Sequence, residues 1–504
     1  MLNLAVRNTN KLIREKSKAE NIRLGRLFTK KDTARLMAEM VNLPKTDKNA
    51  FTVLDPGAGT GILSAAIVEH ICKNAPQCKQ IFLTCYENNE TFLPMLEDNI
   101  ERIRKKCRHD YDVKLFATIY RENYLTDAKK HYTVNFFEVV EDKYDIVICN
   151  PPTEMCEKYS EDAEGVGGIT QLKLSRAFLF AKLAADHVDH DGYFVTVMPT
   201  TYASASAVKD IRKELSEKLS VYGIHLFVGK QKNSQRAVPL KKNFVIAFKK
   251  SEKPKTLTLT TSHDSGKTIT NLPELPYSFV VDEESGALTL PKSVEETKMI
   301  KYISGFPETL TKLGLRMHTG LIVDSKCEGL LFTEPINGTV PLIRLATMKG
   351  GTISFPQPIK RQYIAPVNPS LVQKNKNMII VKRVPAKSDQ RFINAAVYLA
   401  SQLPAYKYIS THNKLNYIDT ISKNDEMSAR MAFGLFALLN STVYDRYISI
   451  VLKSKQINSK EIRNLPLPPR NIIENIGMRL MAARQTTVAA CDSIVNPTLH
   501  IIER

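Results

Sequence analysis

The sequence feature that most constrains the fold is a glycine-rich loop between a short apolar strand and a helix. The pattern predicts a buried strand at 51–54, a tight loop at 55–61 (DPGAGTG) and a helix at 62–71. Glycines let the backbone approach a ligand closely, and open α/β sheets bind nucleotides at such a loop. Because the spacing is G-x-G-x-G and not G-x-G-x-x-G, the loop favours a cofactor without a pyrophosphate and disfavours a dinucleotide-dependent oxidoreductase.

The alternation of strands and helices around this loop predicts an α/β fold. Further strands are predicted at 81–87, 114–120, 144–149, 193–198, 221–228 and 243–248. Such alternation is typical of a doubly wound, mostly parallel sheet. From residue 251 the sequence changes to short β segments, turns and scattered Lys and Arg. We therefore predict a sheet domain at 1–250, a mixed α+β domain at 251–470 and a C-terminal helix at 471–504.

Polar residues follow two of these strands at the edge where open α/β sheets bind ligands. Glu87 ends the second strand, where an acid accepts hydrogen bonds from both ribose hydroxyls. Asn123 and Tyr124 follow the third strand, where an amide can contact the amino group of an adenine and a ring can contact its face. Each residue alone also fits an ordinary surface position. Their place after the glycine loop favours a nucleoside-like ligand.

The fourth strand ends in Asn150, Pro151, Pro152 and Thr153, a rigid set of hydrogen-bond acceptors. Two prolines fix φ and lack backbone donors, and a residue before proline is extended. The amide of Asn150 is therefore held at the carboxyl edge of the sheet, beside carbonyl oxygens that join no helix. The alternative is a plain Pro-Pro turn, and these four residues alone do not separate the two interpretations.

The charge of the chain favours a polyanionic partner. There are 71 Lys and Arg against 52 Asp and Glu, a net charge of +19 with a pI of about 9.4. Nucleic acid is the simplest such partner because Lys and Arg neutralise phosphates, and a generally basic protein is the alternative. In the second half, basic, amide and aromatic residues interleave at 360–363, 406–408 and 412–416, as they do on nucleic-acid-binding surfaces.

The cysteines and the hydropathy bear on metal content and location. The eight cysteines show no CxxC pair and no metal-ligand spacing, a pattern typical of free thiols in a reducing cytoplasm. No apolar run reaches the roughly 20 residues of a membrane-spanning helix, and residues 1–15 lack the apolar core of a signal peptide. The sequence therefore predicts a soluble, cytoplasmic protein without a metal.

The order of Thr29, the glycine loop, Glu87, Asn123 and the motif NPPT resembles one group of enzymes. It is similar to the gamma group of S-adenosylmethionine-dependent DNA methyltransferases that modify adenine N6. Typical members are type II modification methylases of restriction-modification systems.

The resemblance implies a fold, a cofactor and a partner. The fold is a Rossmann-like methyltransferase domain at 1–250 followed by a DNA target-recognition domain at 251–470. S-adenosylmethionine is the methyl donor, no metal is needed, and double-stranded DNA is the substrate, with the target adenine flipped out of the stack. The implied enzyme is a monomer whose cognate restriction endonuclease, encoded nearby, forms no stable complex with it.

The resemblance also implies two sets of site residues. The implied cofactor-binding residues are Thr29, Asp55, Gly57, Gly59, Gly61, Glu87, Asn123 and Tyr124. The implied catalytic residues are Asn150, Pro151, Pro152 and Thr153. Asn150 and the Pro151 carbonyl accept the N–H groups of the target amine, which localises the nitrogen lone pair for in-line attack on the methyl group.

The sequence departs from this group at three positions. Thr153 stands where an aromatic residue usually stacks on the flipped base, and Tyr159 or Tyr202 could replace that ring. Lys30 follows Thr29 where proline is common, and Asn123 stands where Asp is usual. Two other functions stay open: methylation of RNA or of a protein glutamine, and DNA binding with catalysis impaired by Thr153.

Overall fold

The computed structural model describes residues 1–14, 28–43, 48–127, 142–156, 174–229, 242–386, 389–452, 457 and 462–501. The chain divides into two compact units, Met1–Thr297 and Lys298–Arg504. The first unit holds the glycine loop and the Asn-Pro-Pro motif.

The first unit alternates strands and helices. Its strands are β1 (Ala50–Pro56), β2 (Gln80–Tyr86), β3 (Lys114–Tyr120), β4 (Tyr144–Cys149), β5 (Val188–Pro199), β6 (Ser220–Phe227), β7 (Asn243–Lys249), β8 (Thr256–Leu257), β9 (Leu259–Ser262), β10 (Thr270–Asn271) and β11 (Leu275–Pro276). Its helices are α1 (Leu2–Arg14), α2 (Lys31–Glu39), α3 (Ile62–Asn74), α4 (Leu93–Tyr111), α5 (Arg176–Asp186), α6 (Lys209–Lys218) and the short α7 (Tyr277–Val280).

Nine strands form one sheet in the order β10-β9-β6-β7-β5-β4-β1-β2-β3. The five strands β3, β2, β1, β4 and β5 are parallel, whereas β7 is antiparallel to both of its neighbours. The strand order reverses between β1 and β4, and ligands of open α/β sheets bind outside the carboxyl ends of strands at such a switch point. The predicted doubly wound α/β fold is therefore confirmed.

The core of this unit lies between the sheet and helices α1 to α4. Alternate residues of β2, Ile81, Leu83 and Cys85, are almost fully buried on this face. The facing helices contribute apolar residues three or four positions apart, as Ile67 and Ile71 do in α3, so one stripe of each helix is buried. This packing fixes the helix that follows the glycine loop against the sheet.

Two details of the first unit differ from the sequence prediction. The unit continues to Thr297 and not to residue 250, because β9 pairs in parallel with β6 and extends the sheet after the basic segment 251–255. The sequence at 32–40 predicts an amphipathic helix, for which Thr29 or Asp32 would serve as the N-cap. Its N-cap is Lys30, which makes no side-chain capping bond.

The second unit is built from short strands and helices, and α8 (Val294–Ser304) crosses the boundary into it. Six strands form a sheet in the order β12 (Leu315–Thr319), β22 (Leu415–Thr420), β19 (Met378–Lys382), β20 (Ala395–Tyr398), β16 (Thr352–Ile353) and β15 (Met348–Lys349). Five more form a second sheet in the order β13 (Leu331–Phe332), β17 (Tyr363–Ile364), β14 (Val340–Ile343), β21 (Tyr408–Thr411) and β18 (Gln373–Lys374).

Towards its end, the described part of the second unit contains the helices α9 (Ala429–Asn440), α10 (Thr442–Val451), α11 (Arg470–Ala483) and α12 (Val488–Thr498). The predicted single helix at 471–504 is wrong, because the chain turns at Arg484, whose φ of 51° places it in the left-handed region that ends a helix. The hydroxyl of Thr487 then caps α12 by accepting a hydrogen bond from the backbone N–H of Ala490.

The positive charge of the protein is concentrated in the second unit. Residues 298–504 contain 28 Lys and Arg against 13 Asp and Glu, so this unit carries +15 of the total +19. Among the described residues, none of the helices is long and apolar enough to cross a membrane. The same ranges contain no group of three or more His, Cys, Asp or Glu side chains placed to hold a metal ion.

Helices α9 and α11 pack so closely that glycine is required where they cross. A Cβ added to Gly477 would lie 1.8 Å from the carbonyl oxygen of Arg430. We therefore expect Gly477→Ala to lower the free energy of unfolding by about 2 kcal/mol or more, because overpacking outweighs the roughly 1 kcal/mol by which alanine favours a helix.

The measurement is the urea midpoint of the second unit, with Gly305→Ala as control. The nearest atom to a Cβ at Gly305 is the Tyr302 carbonyl oxygen at 3.3 Å, much farther than the 1.8 Å at Gly477, so this variant should change the midpoint much less. Equal stability of the two variants would show that the crossing tolerates a side chain.

Candidate functional site

A cavity of about 320 Å³ lies at the carboxyl edge of the first sheet, around the switch point between β1 and β4. Ten of the twelve predicted site residues line it: Thr29, Gly57, Gly59, Glu87, Asn123, Tyr124, Asn150, Pro151, Pro152 and Thr153. Asp55 and Gly61 are not part of its wall. The fold thus brings the predicted cofactor residues and the predicted catalytic residues into one cavity.

The glycine loop is held by backbone hydrogen bonds to the neighbouring strand. The N–H groups of Gly57 and Ala58 both donate to the carbonyl oxygen of Tyr86, at 2.9 and 2.8 Å. Gly61 has a φ of 80°, and a Cβ there would lie 2.9 Å from a methyl group of Leu96 on α4. Gly61 therefore allows the turn into α3 and the packing of α4 against it, while Gly57 and Gly59 face the cavity.

Asp55 supports the loop from behind the cavity wall. Its Oδ2 accepts a hydrogen bond from the Ser64 hydroxyl at 2.6 Å, and its Oδ1 has no hydrogen-bond partner among the described residues. Burial raises the pKa of the Asp55 carboxyl to about 7. The predicted contact of Asp55 with a cofactor is not supported by this geometry, because its side chain is fully buried and bonds to α3.

Glu87 joins two loops at the cavity. Its Oε2 accepts the Gly59 N–H at 2.8 Å, and its Oε1 accepts the Asn89 N–H at 2.7 Å. Burial raises the pKa of Glu87, and the backbone N–H bonds offset part of that shift. Each carboxylate oxygen has more than one lone pair, so Glu87 can hold the loops and still accept hydrogen bonds from a ligand.

Asn123 and Tyr124 lie next to each other on the cavity wall but differ in accessibility. The Asn123 side-chain oxygen accepts the backbone N–H of Leu125 at 3.1 Å, which fixes the amide. Tyr124 is only 3% exposed, and its ring packs against Tyr86 and Phe180 with centroids 5.3 and 5.4 Å away. A ligand can reach the rim of this ring more easily than its face.

A hydrogen bond orients the amide of Asn150. Its Nδ2 donates to the Thr29 hydroxyl at 3.0 Å across 121 positions of sequence, and its Oδ1 accepts no hydrogen bond from the described residues. Asn150 follows β4 directly, and the buried Pro151 fixes the chain behind it. The oxygen of this amide is therefore the group left to accept a bond from a ligand.

Among the described residues, no candidate aromatic ring is placed to take the stacking role at Thr153. Thr153 is exposed, and its carbonyl accepts the Ser175 hydroxyl at 3.0 Å. The prediction that Tyr202 could replace the missing ring is wrong, because Tyr202 is 1% exposed and packs in the core against Phe178 and Phe244. Tyr159, the other, lies outside the described residues.

Several residues that the sequence did not assign to the site also line the cavity. They include three aromatic and two polar residues: Phe28, Phe92, Phe180, Lys30 and Asn243. Phe28 and Phe92 meet edge to face, with centroids 5.0 Å apart. Burial lowers the pKa of Lys30. Only Phe28 and Lys30 could have been found from sequence, because they flank Thr29, whereas the others come from distant elements.

The predicted nucleic-acid surface of the second unit is partly structural. Asn416 is 1% exposed and donates to the carbonyl oxygen of Ile457 at 2.7 Å, so it cannot read a base edge. Gln362, Tyr363 and His412 are also buried. Lys407 and Lys414 remain exposed, so the basic residues of these clusters face solvent more than the amides and rings do.

Comparison with known proteins gives one family and two curated relatives. The profile of the family described as N-6 DNA Methylase matches residues 10–265. The chain is 26% identical to the type II methyltransferase M.PstI of Providencia stuartii over 95% of this chain and 94% of that protein. It is 25% identical to the type II methyltransferase M.BsuBI of Bacillus subtilis over 93% of this chain and 91% of that protein.

Two solved structures are also similar to the chain. The type IIG restriction endonuclease BpuSI is 12% identical, with a TM-score of 0.42, over 95% of this chain and 65% of that one. The type IIL restriction-modification enzyme MmeI, in complex with DNA, is 12% identical, with a TM-score of 0.41, over 100% of this chain and 74% of that one.

The buried carboxyl of Asp55 generates a prediction about stability and pH. Its pKa of about 7 in the folded chain exceeds its ordinary value, so the folded protein retains a proton that the unfolded chain has lost. The stability of the wild type should therefore fall as the pH rises from about 4 to about 7. Asp55→Asn should remove this decrease in the free energy of unfolding, which is on the order of 2 kcal/mol between pH 5 and pH 8.

Melting temperatures of both proteins from pH 5 to pH 8 test this. Asp98→Asn, on the exposed face of α4, should follow the wild-type curve. A constant difference between Asp55→Asn and wild type at all pH values would contradict a carboxyl that titrates near neutrality.

Proposed function

The chain belongs to the N-6 DNA methylase family, and on that premise we propose that it transfers the methyl group of S-adenosylmethionine to the N6 amino group of adenine at a specific site in double-stranded DNA. The two type II methyltransferases that resemble it over more than nine tenths of its length support a role as the modification arm of a restriction-modification system. We further propose that it acts in the cytoplasm as a monomer, with a cognate endonuclease that forms no stable complex with it.

The observation that carries this proposal is the place and orientation of Asn150. Its amide lies in the same cavity as the glycine loop and Glu87, with Nδ2 engaged by Thr29 and Oδ1 left as an acceptor. An acceptor fixed beside a cofactor site suits a substrate that carries a planar NH₂ group. The exocyclic amine of adenine is such a group.

The residues of the cavity fit S-adenosylmethionine. The glycine loop offers backbone without side chains, the Glu87 carboxylate can accept ribose hydroxyls, and Phe28 and Phe92 provide apolar surface for a base. We assign Thr29, Gly57 and Gly59 to the methionine end and Asn123 with Tyr124 to the adenine. Asp55 and Gly61 contribute by supporting the loop.

The chemistry follows from the two acceptors at the end of β4. The adenine N6 lone pair is delocalised into the ring, which makes the amine a poor nucleophile. When Asn150 Oδ1 and the Pro151 carbonyl accept hydrogen bonds from the two N–H groups of the amine, the nitrogen moves toward tetrahedral geometry and its lone pair is localised. The cofactor supplies an electrophilic methyl group, and holding amine and methyl in line accounts for much of the acceleration.

Access to this cavity requires the target adenine to leave the double helix. Flipping costs a few kcal/mol, which contacts in the cavity must offset. Because Thr153 cannot stack on the base, the apolar contacts must come from other cavity residues. Pro152 and the aromatic residues of the wall are the described groups available for this.

Replacement of Asn150 is the direct test of the proposed function. We expect Asn150→Ala to lower kcat for DNA methylation by at least about 100-fold, since it removes an acceptor aimed at the reacting amine. The Kd for S-adenosylmethionine should stay within about tenfold of wild type, because Asn150 acts on the base. Asn74→Ala, on the exposed end of α3, is the control, and an unchanged kcat for Asn150→Ala would refute the mechanism.

The hydrogen bond between Asn150 and Thr29 gives a second test. Thr29→Val keeps the shape of the side chain and removes the hydroxyl, so the amide should rotate more freely and kcat should fall about tenfold, as expected for the loss of one hydrogen bond. Thr29→Ser keeps the hydroxyl and should retain most of the activity.

Separate measurement of kcat and of the Kd for S-adenosylmethionine in the valine variant distinguishes two roles of Thr29. If Thr29 orients Asn150, the valine variant loses kcat while its Kd for S-adenosylmethionine changes little. A large rise in that Kd with unchanged kcat would instead show that Thr29 serves only to bind the cofactor.

A further inference from the structure

Lys30 is the only cationic side chain among the described residues that line the cavity of the first unit. Three carboxylates, those of Glu87, Glu122 and Glu154, line the same cavity. The described wall is therefore acidic overall, and its single positive charge lies at Lys30. A ligand with one negative and more than one positive group would match this distribution of charge.

The ammonium group of Lys30 forms no ion pair or hydrogen bond within the described part of the chain. The side chain is half-buried, and burial lowers its pKa without a neighbouring carboxylate to oppose that shift, as an ion pair would. Glu87 accepts two backbone N–H groups, and Glu154 pairs with Arg176. Lys30 is thus a partly desolvated cation that a ligand anion would stabilise.

The segment 28–30 lies between the glycine loop and the Asn-Pro-Pro motif. A Cβ added to Gly59 would lie 3.8 Å from the ring of Phe28, so the segment runs against the loop. The hydroxyl of Thr29 accepts the hydrogen bond from the Asn150 amide at 3.0 Å. The last residue of the segment is therefore held close to both groups of site residues.

The backbone that carries Lys30 is fixed by contacts of helix α2. Lys30 is the N-cap of this helix and has an extended backbone conformation. In the first turn, the Thr33 hydroxyl donates to the carbonyl oxygen of Ser265 at 2.8 Å. Gly266 packs so closely that a Cβ there would lie 3.0 Å from Leu36. Only the lysine side chain then has to be ordered when a ligand binds.

The proposed positions of the nucleoside determine which end of S-adenosylmethionine meets Lys30. Its adenine is assigned to Asn123 and Tyr124, after β3, and its ribose to Glu87, after β2. The rest of the cofactor then extends over the ends of β1 and β4, towards the segment 28–30. This part carries two positive groups, the sulfonium and the amino group, and one negative group, the carboxylate.

We propose that Lys30 binds the carboxylate of the methionine moiety of S-adenosylmethionine. The proposal rests on the proposed function, because it assigns a further residue to the same cofactor. The one anionic group of the cofactor meets the one cation of the described wall in a charge-assisted hydrogen bond. The acids of the wall suit the two positive groups, and they disfavour the other candidate anion, a phosphate of the DNA.

The test compares two ligands by isothermal titration calorimetry on the full-length wild type and on Lys30→Met. S-adenosylhomocysteine keeps the amino and carboxylate groups, whereas methylthioadenosine lacks both and keeps the nucleoside and the sulfur. Methionine keeps an unbranched apolar stem and removes the charge. Lys31→Met is the matched control, because it removes the next charge along the chain, which does not line the cavity.

For Lys30→Met we expect the Kd for S-adenosylhomocysteine to rise at least about tenfold, while the Kd for methylthioadenosine stays within about twofold of wild type, because one hydrogen bond between charged groups is lost and the nucleoside contacts remain. Lys30→Arg keeps the charge and should retain most of the affinity for S-adenosylhomocysteine. Lys31→Met should leave both Kd values unchanged.

An unchanged Kd for S-adenosylhomocysteine in Lys30→Met would overturn the proposal. If the slope of log K against log salt for DNA binding also fell by about 0.9, the value for one phosphate contact, Lys30 would instead contact the DNA backbone. An equal loss of affinity for both ligands would also overturn it, because the lysine would then act on the nucleoside or on the fold.

The wild type separates this proposal from the proposed function. If it binds S-adenosylhomocysteine through Lys30 but does not methylate DNA, the proposed function alone is refuted. If it methylates DNA and Lys30→Met binds both ligands as the wild type does, only the role of Lys30 is refuted. If the wild type binds neither ligand, both are refuted.

Discussion

The parallel pairing of β1 with β4 is the constraint on which the candidate site depends. Val53 and Leu54 pair with Ile146 and Val147, so the glycine loop and the Asn-Pro-Pro motif leave adjacent strands at the same edge of the sheet. Asp145 fixes this register, since its carboxylate accepts both the backbone N–H and the hydroxyl of Thr52, at 2.9 and 3.1 Å. A shift between these strands would separate the cofactor loop from the group that acts on the base.

At this edge of the sheet, the side chains of Glu87 and Asn150 have different roles. Glu87 joins the glycine loop to the segment after β2 and keeps lone pairs directed at the cavity. The amide nitrogen of Asn150 donates a hydrogen bond to the Thr29 hydroxyl, and its amide oxygen remains available as an acceptor. In both residues one part of the polar group is used to hold the protein in shape, and the remaining part is available to a substrate. This arrangement explains how a site with few charged groups can still orient its ligands.

The sequence predicted those parts of the site that local chemistry determines. The glycine loop, Glu87 and Asn150 were found because each stands at the end of a predicted strand, and the structure brings them into one cavity. Tyr202 was wrong because nothing in its neighbourhood in sequence shows that its ring packs against Phe178 and Phe244.

Features that depend on distant contacts could not be predicted from the sequence in the same way. The first unit extends to Thr297 because β9 adds to the sheet beside β6, which no local pattern indicates. Asn416 suggested base reading, yet its amide bonds to Ile457 inside the fold. Lys414, which lies only two positions earlier, is exposed, so the local sequence does not show which of the two side chains faces solvent.

The measurement that tests the central claim most directly identifies the base that receives the methyl group. Duplex DNA is incubated with the protein and S-adenosylmethionine that carries an isotopically labelled methyl group, and the DNA is then digested to nucleosides and analysed by mass spectrometry. A fixed acceptor pair at the end of β4 predicts that the label appears in N6-methyladenine and that none appears when Asn150 is replaced by alanine. Label in a methylated cytosine, or equal labelling with the alanine variant, would contradict the account.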